Sequence, residues 1–148
     1  MEKIKFKIEL GIITHDDVKE HPFVNISVNG YPKFGEILQR DKTVEFYVEI
    51  EENTENRFTI EYYNKDPKID VVLDGNDIIK DKRVEIKSLT LNDIELDFFA
   101  FDTPDTLCYE SLDGKQKHFG FDATKLSWNG RTTLKFTTPI YIWILENL

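Results

Sequence analysis

Long apolar runs, paired cysteines and nucleophile motifs are all missing from this chain, and each absence excludes something. The longest mostly apolar segment, "PIYIWILENL", is ten residues and too short to cross a bilayer. The opening "MEKIKFKIELGII" places a charge at every second position from Lys3 to Glu9, which excludes the continuous apolar core of a secretion signal. With one cysteine there is no internal disulfide, and Cys108 in "TLCYES" reads as a small buried hydrophobe. The 28 acidic and 19 basic side chains give a net charge of −9, a mean field that repels polyanions and argues against nucleic acid as a partner. No glycine-rich phosphate loop, Cys-x-x-Cys or His-Glu-x-x-His occurs. His15, His21 and His118 lie in separate segments without a neighbouring nucleophile, and "HDDVKEH" reads as a solvated turn rather than a metal pair.

What is present is alternation. Ile4, Phe6, Ile8 and Leu10 alternate with Lys5, Lys7 and Glu9, as in a strand with one buried face. The same period runs through "TVEFYVEIE" and "RFTIEYY", and shorter candidates are "FVNISVN" and "FGEILQR", joined by a turn at Gly30 and Pro32. Phe6, Ile8, Phe46, Val48, Phe58, Ile60, Val84 and Ile86 share the inward phase and form the expected core. "RVEIKSLTL" and "IELDFFAF" flank Asn92-Asp93, and Asp113-Gly114 and Asn129-Gly130 are two further hairpin signals. About nine or ten short strands result, an all-β antiparallel sandwich or jelly roll in one domain over 1–148. The last segment departs from this pattern. Thr138 as N-cap, Pro139 as first residue and Ile140 and Ile144 four apart suit a short C-terminal helix, whereas three isoleucines and two aromatics suit a strand.

The connection from 64 to 82 contains "DVVLDGNDIIKDKR", in which Asp70, Asp74, Gly75 and Asp81 fall on positions 1, 5, 6 and 12 of an EF-hand loop. Val72 at position 3 offers no oxygen, and the flanks are strands, so this is not an EF-hand. A looser calcium site and a merely solvated connection both remain open.

The run "RFTIEYYNKD", an insert, and then "DKRVEIKSLTLNDIEL" resembles the calcium-dependent xylan-binding modules, in which an Asn-Asp-like pair ends one strand and an Asp-Arg-like pair opens the next. That resemblance implies calcium held by Asn64, Asp66 and Asp81, although Lys65 splits the first pair and Lys82 the second. The tail "LSWNGRTTLKFTTPIYIWILENL" is instead similar to small β-sandwich proteins of tailed bacteriophages. It implies a structural or accessory protein of the virion, made in the host cytoplasm, with virion proteins or further copies of itself as partners.

Three readings follow. The first is a non-enzymatic bacteriophage virion protein of head, neck or tail. Here Trp143 seats the C-terminal segment on its own sandwich while Tyr141 or Leu145 reaches a neighbouring subunit, so Tyr141, Trp143 and Leu145 are the interface candidates. The second is a calcium-assisted carbohydrate-binding module taking a surface polysaccharide, with Tyr63, Tyr109 or Trp128 as the flat apolar surface under a sugar ring. The third is an enzyme with an unrecognised carboxylate site, which needs a cleft of carboxylates with raised pKa.

Overall fold

A computed structural model describes residues 1–147 apart from 17, 19, 67–69, 102 and 104. Two antiparallel sheets face each other across one core, as the alternation predicts. The first contains β1 (Glu2–Ile13), β4 (Lys42–Ile50), β8 (Arg83–Leu91) and β12 (Lys125–Leu126) in the order β12-β8-β1-β4, with β9 (Ile94–Glu95) on β8. The second contains β2 (Phe23–Val28), β3 (Tyr31–Ile37), β5 (Glu55–Tyr63), β10 (Leu107–Ser111), β11 (Lys117–Phe119) and β13 (Gly130–Thr137) in the order β11-β10-β13-β5-β2-β3. Phe6 of β1 stacks on Phe58 of β5 at 5.3 Å and meets Phe136 of β13 edge-on at 6.0 Å, so aromatic rings bridge the sheets. Of the expected core, Phe6, Ile8, Val48, Phe58, Ile60, Val84 and Ile86 are buried. Phe46 is half-buried because β4 is an edge strand, and its ring stacks on Phe6 at 5.2 Å.

Turn chemistry succeeds where the two flanking strands belong to one sheet. Asn92 and Asp93 both take positive φ between β8 and β9, Gly114 does so between β10 and β11, and Asn29-Gly30 closes β2 onto β3. Asn129-Gly130 is a correction: β12 pairs with β8, so this dipeptide carries the chain from one sheet to the other and is no hairpin. Glycine is still required at 130, because a Cβ there would lie 2.4 Å from the Glu110 carbonyl oxygen. The expected strand in "IELDFFAF" also stops early. Asp97 accepts a hydrogen bond from the Phe99 N–H at 3.0 Å and turns Phe98–Ala100 into a 3-10 turn. Within the 64–82 connection lies a separate two-stranded hairpin, β6 (Val72–Asp74) and β7 (Asp77–Lys80), with Leu73, Ile78 and Ile79 exposed.

The C-terminal segment is a helix, α1 (Ile140–Glu146), that buries Ile140, Trp143 and Ile144. Thr138 is not its N-cap, since its hydroxyl donates to the Glu51 carbonyl at 2.7 Å. The carboxylate of Glu2, from the start of β1, accepts the Ile140 N–H at 2.7 Å instead. Among the described residues no helix is long and apolar enough to cross a membrane.

Candidate binding site

Strand register brings several connections to one end of the sandwich. Phe23 pairs with Tyr63, Tyr62 with Gly130, Ile13 with Arg83 and Val84 with Leu126, so the segments beyond these residues meet there. Asn64, Asp66 and Asp81, the residues of the calcium reading, all belong to the connection between β5 and β8 at this end. Two lysines fill the centre. Lys82 is fully buried, and its ammonium lies 3.1 Å from an Asp70 carboxylate oxygen while donating to the carbonyls of Glu20 and Asn64. Lys65, also buried, donates to Asp81 Oδ1 at 2.6 Å and to the Ser127 carbonyl. Asp81 accepts the Lys82 N–H at 2.7 Å as well, and Asp70 accepts the Asp66 N–H at 2.6 Å. Asn129 locks the strand end through two bonds to the Lys65 main chain, at 2.9 and 3.0 Å.

This arrangement does not fit calcium, which takes six to eight oxygens. The Asn64 carbonyl and the Asp81 carboxylate are both turned to ammonium groups, and a dication among them would meet two like charges at contact distance. Among the described residues there is no cluster of three metal-ligating side chains. The lysines that split the Asn-Asp and Asp-Arg pairs are thus internal cations where the resemblance implies a metal. For the histidine segment, His15 Nε2 contacts the Asp70 carbonyl, and Asp17 lies outside the described residues.

Two of the expected sugar platforms are also absorbed into this end. Tyr109 is only 1% exposed, with its hydroxyl donating to the Trp128 carbonyl at 2.7 Å. Burial raises its phenol pKa to about 12. It is therefore a core residue and presents no ring to solvent. Trp128 is half-buried against the core, with the Lys65 ammonium 5.9 Å from its ring centroid. Tyr63 is different, because it points to the outer face of the six-stranded sheet beside Glu61, to which its hydroxyl donates.

That outer face is hollowed. One depression of about 670 Å³ is lined across β2, β5 and β13 by Asn25, Ser27, Thr59, Glu61, Arg57 and Arg131. A second, of about 420 Å³, continues across β13, β10 and β11 and is lined by Cys108, Glu110, Lys117, Thr133 and Lys135 together with the same two arginines. The shared arginines make the two depressions one groove. Short side chains in the outward phase of the central strands provide the depth, while long charged ones form its walls. Cys108 belongs to this face and is half-buried, not part of the core, and partial burial raises its thiol pKa. Sequence reasoning missed the groove. "RFTIE" and "RTTLK" each carry an arginine in the outward phase, but nothing in the order of residues says that those strands are neighbours.

The interface candidates separate in the same manner. Trp143 is 5% exposed and stacks on Phe101 at 5.5 Å, so it belongs to this chain's own core and not to an interface. Tyr141 and Leu145 stand outward at 53% and 72% exposure, next to the exposed Ile142.

No family model and no curated protein matches the chain. Among solved structures, the chain is similar to the selenomethionine form of vCBM60, a structure described in connection with a circular permutation that links two families of calcium-dependent carbohydrate-binding modules. The likeness has 11% sequence identity and a TM-score of 0.46, and covers 88% of this chain and 89% of that one. The virion setting suggested by the tail sequence gains nothing from these comparisons.

Proposed function

We propose that the chain is a non-catalytic carbohydrate-binding module whose ligand lies in the groove on the outer face of the six-stranded sheet, without calcium. The observation that carries this reading is the groove's lining. Asn25, Ser27, Asn29 and Thr59 offer short donors and acceptors on a rigid floor, with Arg57, Arg131 and Glu61 above them. A sugar presents many hydroxyls at fixed angles, and preorganised polar groups on a sheet bind them without first losing much side-chain entropy. The floor is crossed by four strand spacings from β11 to β2, on the order of 19 Å, which suits an oligosaccharide better than a single ring. Tyr63 stands beside Glu61 on the same face, where its ring can lie under the apolar side of a sugar.

Asp41 is held below the usual carboxylate range by the Lys87 ammonium and Asp113 by the Ser111 hydroxyl, so neither of these two is suited to act as a general acid. No feature of the fold or groove calls for a virion setting.

The test is calorimetric titration with a panel of plant, algal and bacterial oligosaccharides, in calcium and in chelator. Thr59→Trp, which fills the groove floor from an outward position, is expected to abolish binding while leaving the melting temperature within a few degrees. Binding that survives Thr59→Trp, or that requires calcium, would overturn the proposal.

A further inference from the structure

The groove is not uniform, and its asymmetry identifies the ligand further. On β5 and β13 the register sets Arg57 directly opposite Lys135, both in the outward phase. Like charges facing each other across a strand pair are unfavourable, so a sheet face that only needs to be soluble has no reason to keep them. Arg131, by contrast, lies opposite Glu61 on one side and Glu110 on the other. The half of the groove toward β10 holds Arg57, Arg131, Lys117 and Lys135 against two carboxylates, Asp105 and Glu110. Among the described residues none of those four cations makes an ion pair. This local excess sits in a chain of net charge −9. At physiological salt the screening length is about 8 Å, so a ligand seated in the groove meets the local cations and not the mean field.

We infer that the groove takes an acidic polysaccharide, with a ring carboxylate held between Arg57 and Lys135 and neighbouring hydroxyls on Asn25, Ser27 and Thr59. The inference rests on the carbohydrate-binding reading above. Arg57 matches a carboxylate because its planar fork donates two parallel hydrogen bonds, and Lys135 adds a point charge from the adjacent strand. An anion at that place converts the repulsion between the two into attraction for both. Because the other half of the groove is lined by Glu55 and Glu61 beside Arg57 and Arg131, two carboxylates to two cations, the neutral part of a sugar chain runs toward β2. The acidic part therefore runs toward β10.

The experiment uses oligosaccharides of polygalacturonate and of alginate, each beside a neutral counterpart, the methyl ester and the carboxyl-reduced form respectively. Titration of the full chain is expected to show the acid form of at least one pair bound about tenfold or more tightly than its neutral form. That gap should close as salt rises. Arg57→Gln combined with Lys135→Gln should remove the preference while the melting temperature stays the same or rises. Equal affinity for acid and neutral forms, or a preference untouched by the double variant, would sink the inference and leave the carbohydrate reading intact. Failure of every oligosaccharide, acidic and neutral, would sink both. Equal binding of single-stranded DNA of matched charge would show a polyanion surface instead, and would also overturn the inference.

Discussion

Two groups of basic side chains carry opposite lessons. At one end of the sandwich Lys82 and Lys65 are buried and matched oxygen by oxygen, to Asp70, Asp81 and three main-chain carbonyls. On the outer face of the six-stranded sheet Arg57 and Lys135 oppose each other with no ion pair among the described residues. Desolvated ammonium groups are tolerated only when every donor is satisfied, so the first group is part of the architecture. Exposed cations are only slightly unfavourable to keep together, so the second group can persist if a ligand gives it a use. The outer face of the five-stranded sheet is a third reference. There the register sets Lys3 against Glu49 and Lys7 against Glu45, and Lys5 reaches Asp93 at 3.5 Å. That face therefore sets opposite charges across its strands where the groove face sets like ones.

The largest expected effect separates the two groups outright. Lys82→Met leaves the Asp70 carboxylate buried without its cation and should destabilise the fold by about 3–5 kcal/mol in denaturant unfolding. Combining it with Asp70→Asn should recover a substantial part of that loss. A variant as stable as the parent would show that the buried pair is not what holds this end together. Added calcium should leave the parent's melting temperature unchanged.

A smaller effect sharpens the same end. The Tyr62 hydroxyl donates to the Lys82 carbonyl at 3.0 Å and the Tyr109 hydroxyl to the Trp128 carbonyl at 2.7 Å, and burial raises both phenol pKa values. An acid whose folded pKa is raised contributes stability that is fully present below its unfolded value, about 10 for a phenol, and is lost as pH climbs toward the folded value. Stability should therefore decline from about pH 10 upward, by on the order of 1–3 kcal/mol per phenol. Phenolate absorbance should show these two tyrosines of the six ionising only with unfolding. Full ionisation in a still-folded chain would mean that this end admits water.

The smallest effect compares the two outer faces. Lys135→Glu turns a like-charge pair into an opposite one and should stabilise by roughly 0.2–1 kcal/mol, whereas Lys7→Glu does the reverse on the other sheet and should destabilise by a similar amount. Both changes shift stability more at low salt than at high. Two changes of the same sign would erase the distinction between the faces.

The sequence by itself determined the strand phases. Residues alternate between two environments with period two, and that period is a local property of an extended backbone, so Phe6, Phe58, Ile60 and Val84 could be assigned to the core without knowing any partner strand. Turns within one sheet were legible for the same reason, since positive φ at Asn92, Asp93 and Gly114 depends on the residue itself. The helix was legible in its buried side, through Ile140, Trp143 and Ile144, but not in its cap, which Glu2 supplies from the other end of the chain. Only the tertiary structure decided the rest. Whether Lys82 is a departure from a calcium motif or an internal cation depends on carbonyls from residues 20 and 64, and whether Tyr109 meets a sugar or the core depends on Trp128. Arg57 and Lys135 are 78 residues apart in the chain and become neighbours through strand register alone. Pairing across such distances is set by the free energy of burying both sheets at once, a quantity that no local stretch of residues contains.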